Sequence, residues 1–151
     1  MMVTATAMMS ALLLQGAIQM TPQAMPSQHF EVTAGYEPST KKGEPSHIVF
    51  AFKKKDPDVN INEEPAPRLK FAAGAPLVAP SPPKSSGVIP DPANARYLDL
   101  AKPVRFAVTS ALDAPKGLST VKTTVSYFYC SKRENWCRKG TADFNLGVVL
   151  P

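Results

Sequence analysis

Two cysteines stand close together in the stretch SYFYCSKRENWCRKG. Cys130 and Cys137 are the only cysteines among the 151 residues, and six residues separate them. A pair of thiols at this spacing can form a structural disulfide, exchange electrons with another thiol protein, or bind a metal ion. The chemistry of this pair is therefore the first question that the sequence raises.

Metal binding by the pair is disfavoured. Cysteines that bind one zinc ion from the same short motif have about two to four residues between them. His29 and His47 belong to distant segments and are expected to be ordinary surface imidazoles. A calcium loop at DPDVNINEE is disfavoured too, because Ile61 stands in place of the turn glycine and Pro67 in place of the bidentate glutamate. We predict no metal and no cofactor.

Basic side chains surround the pair. Lys132, Arg133, Arg138 and Lys139 outnumber the single Glu134, and positive charge near a thiol favours the thiolate that attacks in disulfide exchange. The whole chain carries a net charge of +5. Basic clusters this short are typical of solvated loops, and no aromatic-basic motif accompanies them. We therefore expect no nucleic-acid partner.

The segments around the pair are predicted to be strands, because apolar and polar residues alternate in them. This period of two is clearest in HIVFAFK, VRFAVTS, VKTTVSYFYC and TADFNLGVVL. Weaker strands are expected at residues 30–36, 59–62, 68–72 and 97–100. Sixteen prolines argue against a helical bundle. The pattern predicts an all-β fold, an antiparallel β-sandwich with a proline-rich exposed loop at residues 75–95.

The last two strands are expected to form a hairpin with residues 131–136 as its loop. Directly opposed residues of an antiparallel pair have Cα atoms about 4.5 to 5.5 Å apart, which a disulfide accepts, so a bond between Cys130 and Cys137 is geometrically easy. Closing so short a loop stabilises a fold by only about 2.5 kcal/mol. A bond between distant parts of the chain would stabilise more. The short loop thus favours a reversible bond, and an inert structural disulfide is the alternative.

The N-terminal residues differ in kind from the rest. The first charged residue is Glu31, and the apolar centre at residues 11–14 resembles that of a secretory signal. It is shorter than the ~20 apolar residues of a membrane-spanning helix. We predict a signal peptide or disordered leader at residues 1–28, a single domain at 29–151 and no transmembrane segment. The expected location is periplasmic or secreted, where disulfides persist.

The order of these features resembles the immunoglobulin-like N-terminal domain of the bacterial thiol:disulfide interchange protein DsbD. GEPSHIVFAF precedes VNIN, a proline-rich segment and VRFAV follow, and VSYFYCSKRENWC runs into a closing strand. The resemblance covers roughly residues 30–150, and VNIN and SYFYC are its most specific parts. It implies an immunoglobulin-like β-sandwich in the periplasm. It also implies that Cys130 and Cys137 pass electrons to thioredoxin-like or other thiol-disulfide proteins, one cysteine forming a mixed disulfide and the other resolving it.

Two functions are consistent with these residues. The first is thiol-disulfide exchange through Cys130 and Cys137, which would make the protein a thiol:disulfide oxidoreductase. The second is a non-catalytic binding or accessory domain in which the same bond is structural. The reduction potential of the bond distinguishes the two, because structural disulfides are the harder to reduce.

Overall fold

The computed structural model describes residues 28–79, 85–86, 90–91 and 94–151, and these residues contain no helix. The predicted leader therefore lies, apart from Gln28, outside the described residues. In the described part of the chain we number eleven strands: β1 (Phe30–Glu37), β2 (Ser46–Lys54), β3 (Val59–Ile61), β4 (Arg68–Phe71), β5 (Leu77–Val78), β6 (Ser85–Ser86), β7 (Pro90–Asp91), β8 (Asn94–Leu98), β9 (Val104–Ser110), β10 (Gly117–Ser131) and β11 (Trp136–Leu150).

The strands form two main antiparallel sheets. The first has the order β1-β2-β9-β5, with β6 also paired to β9. The second has the order β11-β10-β3, with β4 also paired to β10. Strands β7 and β8 form a small separate pair. This is the strand arrangement of an immunoglobulin constant-type domain. Strands A, B, E and D of that domain correspond to β1, β2, β9 and β5, and strands C, F and G correspond to β3, β10 and β11.

The two sheets pack face to face through large side chains. Phe50 of β2 meets Phe144 of β11 with ring centroids 5.8 Å apart, and Phe52 meets Tyr127 of β10 at 5.1 Å. Alternate residues of β2 and β9, and of the paired middle parts of β10 and β11, are buried in this interface, as the period of two in the sequence predicts. The predicted antiparallel β-sandwich is confirmed.

Every predicted strand is present, and most of the predicted bounds agree with the structure to within one residue. Strand β8 occupies residues 94–98 rather than 97–100, and the strands of the final hairpin are longer than predicted. Residues 131 and 136 pair with each other, so the hairpin loop is only residues 132–135. The cysteines consequently lie inside the paired region, one residue from its end.

The proline-rich segment is not an exposed loop throughout. Leu77 is 2% exposed because its side chain fills the core while its strand pairs with the end of β9. Residues 85–86 pair with Arg105 and Phe106, near the start of β9. Residues 80–84, 87–89 and 92–93 of the segment lie outside the described residues. The segment thus supplies β5 and β6, the short strands that pair with β9 at the edge of the first sheet.

Candidate functional site: the Cys130–Cys137 disulfide

The two cysteines are bonded across the β10–β11 hairpin. They are direct partners in the register, with Cα atoms 4.1 Å apart and sulfur atoms 2.07 Å apart. Their neighbours Tyr129 and Ser131 point into the core with Ile61 and Val59, so the cysteines point to the outer face of the second sheet. The bond therefore joins neighbouring strands of one sheet, whereas the disulfide of antibody domains joins strands B and F of opposite sheets.

A tight loop closes the hairpin beside the bond. Asn135 has a φ of 56°, a left-handed conformation that asparagine tolerates better than most residues. The Glu134 amide donates a hydrogen bond to Ser131 Oγ at 3.2 Å. Trp136 Nε1 donates to Glu134 Oε2 at 2.6 Å. These hydrogen bonds connect the loop to the two strand ends beside the disulfide.

An aromatic cluster supports the hairpin from its inner side. Trp136 lies 5.7 Å from Tyr129 between ring centroids, and His29 lies within 5.5 Å of both rings. His29 Nδ1 is also 3.6 Å from Asp56 Oδ2. The prediction that His29 is a surface imidazole is wrong, because its side chain is only 17% exposed and packs under the hairpin. The cluster fixes the strands that carry the cysteines.

The two sulfur-bearing residues differ in access to solvent. Cys130, on the central strand β10, is 9% exposed, because β3 and β11 flank it on both sides. Cys137 lies on the edge strand β11 and is exposed. A thiolate that approaches from solvent therefore meets Cys137 first.

Most of the basic side chains near the pair already have partners. Arg133 NH1 is 2.6 Å from Asp58 Oδ2, Lys132 Nζ lies 5.1 Å from the centre of the Tyr97 ring, and Arg138 stacks 4.4 Å above Trp136. Lys139 is exposed, and its position two residues along β11 puts it on the same face as Cys137. Of the four predicted cations, Lys139 is thus the one on the same face and strand as the exposed Cys137.

An open cavity of about 620 Å³ borders the disulfide. Both cysteines line it, together with Asn62, Arg96, Tyr97 and Lys132. Asn62 is bridged to Tyr97, so strand β8 forms the wall opposite the hairpin. Asn62 Oδ1 is buried in this wall and accepts no hydrogen bond from the described residues. The cavity is lined by polar and apolar groups alike, and it leaves an open space of this volume beside the two cysteines.

The sequence identified the cysteines and the cations but not the other walls of the site. Arg96 and Tyr97 reach it from a strand far away in sequence. Asn62 of the cavity wall and Asn60, the partner of Cys130 in β3, could have been found, since alternation in VNIN puts both on the face opposite the buried Val59 and Ile61. Within the described residues there is no group of three or more metal-binding side chains, and no helix is long and apolar enough to cross a membrane.

Comparison of the chain with models of protein families, with curated protein sequences and with solved structures found no match.

Proposed function

We propose that this domain carries out thiol-disulfide exchange through Cys130 and Cys137. The observation that carries the proposal is the position of the bond, which lies on the outer face of one sheet with one sulfur-bearing residue exposed. A bond placed there contributes little to the fold, because β10 and β11 are already paired along 15 residues each. It is, however, accessible to a thiol protein.

The exposure of the two cysteines sets the order of the steps. A partner thiolate bonds to the sulfur of Cys137, the bond between Cys137 and Cys130 breaks, and its electron pair leaves on the Cys130 sulfur. A second thiolate of the partner then attacks the mixed disulfide and releases Cys137. The partner dithiol is oxidised to a disulfide, the domain disulfide is reduced to two thiols, and protons are exchanged with water.

The same chemistry in reverse passes electrons onward. The reduced Cys137 thiolate attacks a partner disulfide, and Cys130 resolves the mixed disulfide. The resemblance of SYFYC and VNIN to the DsbD N-terminal domain supports partners of the thioredoxin-like class. The cavity beside the sulfur atoms supports a polypeptide partner, since it can hold the residues that flank the partner's cysteine.

Trapping of the mixed disulfide tests the proposal. In the Cys130→Ala variant, the exposed Cys137 can attack a partner disulfide but can no longer be released by Cys130, so we expect a covalent complex with a partner on a non-reducing gel. The Cys137→Ala variant is the matched control and should trap far less, because its remaining thiol is the sheltered one. If neither variant traps a protein in an oxidising compartment rich in thioredoxin-like proteins, the bond is structural and the domain is an accessory module.

We also propose that the domain works outside the cytoplasm, in the bacterial periplasm. This rests on the uncharged apolar segment before Glu31 and on the need of such a disulfide for an oxidising compartment. Expressed in a bacterium with residues 1–28, the protein should be recovered from the periplasm in a shortened form. Full-length protein confined to the cytoplasm would contradict the proposed location.

A further inference from the structure

Asn60 lies directly across the ladder from Cys130. The register of β3 with β10 pairs Tyr129 with Ile61 and Cys130 with Asn60. Directly paired residues point to the same face, with Cβ atoms about 4.5 to 5.5 Å apart. Because β10 runs between β11 and β3, Cys130 has Cys137 as its neighbour on one side and Asn60 on the other.

A lysine holds the side-chain amide of Asn60. Lys54, the last residue of β2, donates a hydrogen bond from Nζ to Asn60 Oδ1. An ammonium group can only donate, so the atom that faces Lys54 is the amide oxygen. The two N–H groups of the amide are therefore directed away from Lys54 and remain available to an acceptor on the sheet face.

We propose that Asn60 donates an amide hydrogen bond to the Cys130 sulfur when the disulfide opens, and that Lys54 is the positioning residue that orients this amide. The inference rests on the proposed function, since it concerns the sulfur that leaves in the first exchange step. As the incoming thiolate bonds to Cys137, negative charge develops on the Cys130 sulfur. A hydrogen bond to a charged acceptor is stronger than one to a neutral acceptor, so Asn60 stabilises the transition state more than the disulfide.

The other polar groups around the pair act on both sulfur atoms. Lys132, Arg96, Glu63 and Glu64 line the cavity, and Lys139 lies beside Cys137. These charges are of mixed sign and contribute a field across the whole site. Asn60 is instead placed to act on the leaving sulfur alone. Its removal should therefore change the reactivity of Cys130 itself.

The first test is the rate at which glutathione reduces the oxidised domain. We expect Asn60→Leu to lower the rate constant about tenfold or more, the loss of one hydrogen bond to a charged group. Lys54→Met, which leaves Asn60 in place but unoriented, should lower it about twofold. Lys53→Met is the matched control, because Lys53 is also exposed, precedes Lys54 on β2 and should leave the rate unchanged.

The second test separates a role at the sulfur from a purely structural one. In a Cys137→Ser background, the pH profile of Cys130 alkylation by iodoacetamide reports how strongly its surroundings favour the thiolate. Asn60→Leu and Lys54→Met should both move this profile to higher pH, whereas Lys53→Met should not. Because Lys54 is exposed, its variant keeps the test decisive even where Asn60→Leu folds poorly.

The outcomes distinguish the inference from the proposed function. Wild-type reduction rates and an unmoved pH profile in both variants overturn the role of Asn60, whether or not Cys130→Ala traps a partner. A moved profile without any trapped partner upholds the role of Asn60 and rejects exchange with proteins.

Discussion

Cys130 and Cys137 are bonded directly across a hairpin, with Cα atoms 4.1 Å apart, yet Cys130 is 9% exposed while Cys137 is open to solvent. The difference arises because Cys130 lies on the central strand of its sheet and Cys137 on the edge strand. The disulfide thus joins one exposed and one sheltered cysteine.

Removal of the disulfide should cost little stability. We expect the Cys130→Ala/Cys137→Ala variant to lose no more than about 2.5 kcal/mol in the free energy of unfolding, the chain-entropy value for so short a loop. Urea unfolding followed by circular dichroism measures the loss. Wild-type protein reduced with dithiothreitol is the control, since it removes the bond but keeps both side chains. A variant that no longer folds would show that the bond is a structural requirement.

Lys139 should accelerate attack by an anionic thiol. We expect Lys139→Gln to lower the rate of reduction by glutathione about two- to threefold at low ionic strength, with the difference shrinking as salt screens the charge. Lys122→Gln is the matched control. Lys122 is exposed on the same sheet face, but it lies eight residues from Cys130, about 26 Å along β10. Equal effects of the two variants would indicate that the rate of reduction depends on the net charge of the protein and not on the position of Lys139.

Gly140 should be required for the packing of Tyr127. A Cβ atom at Gly140 would lie 2.6 Å from the Tyr127 ring, and Tyr127 is 1% exposed and cannot easily move. We expect Gly140→Ala to destabilise the domain by about 1–3 kcal/mol through overpacking, measured by urea unfolding. The direction of the change in stability tests this contact, because Gly→Ala at an unstrained open position stabilises a protein by about 0.4–1 kcal/mol. A gain in stability would show that this close contact is absent.

The sandwich could be predicted because its strands alternate strictly. Phe50 and Phe106 are fully buried at positions that a period of two assigns to the core. Thr123 occupies such a position as well and is fully buried, and its hydroxyl is satisfied there because it donates a hydrogen bond to the Lys70 carbonyl oxygen at 3.2 Å. The alternation in this case predicted the side of the strand correctly even for a polar residue.

The features that could not be predicted depend on contacts between distant segments. Nothing near His29 in sequence indicates that Tyr129 and Trp136 will cover it. The pairing of Asn60 with Cys130 depends on the register of β3 with β10, which is set by burial of Val59 and Ile61 rather than by any local motif. The exposure of Cys137 likewise follows from the absence, among the described residues, of a strand paired to the outer edge of β11.

The most direct measurement is the reduction potential of the Cys130–Cys137 bond, obtained by equilibrating the folded domain in glutathione or dithiothreitol buffers of graded ratio. Structural disulfides of secreted proteins typically have potentials below about −300 mV, whereas exchanging ones lie above this value. For a bond on an open sheet face that passes electrons between proteins, we expect a potential above about −300 mV. A potential below it would contradict thiol-disulfide exchange and identify the bond as a structural crosslink.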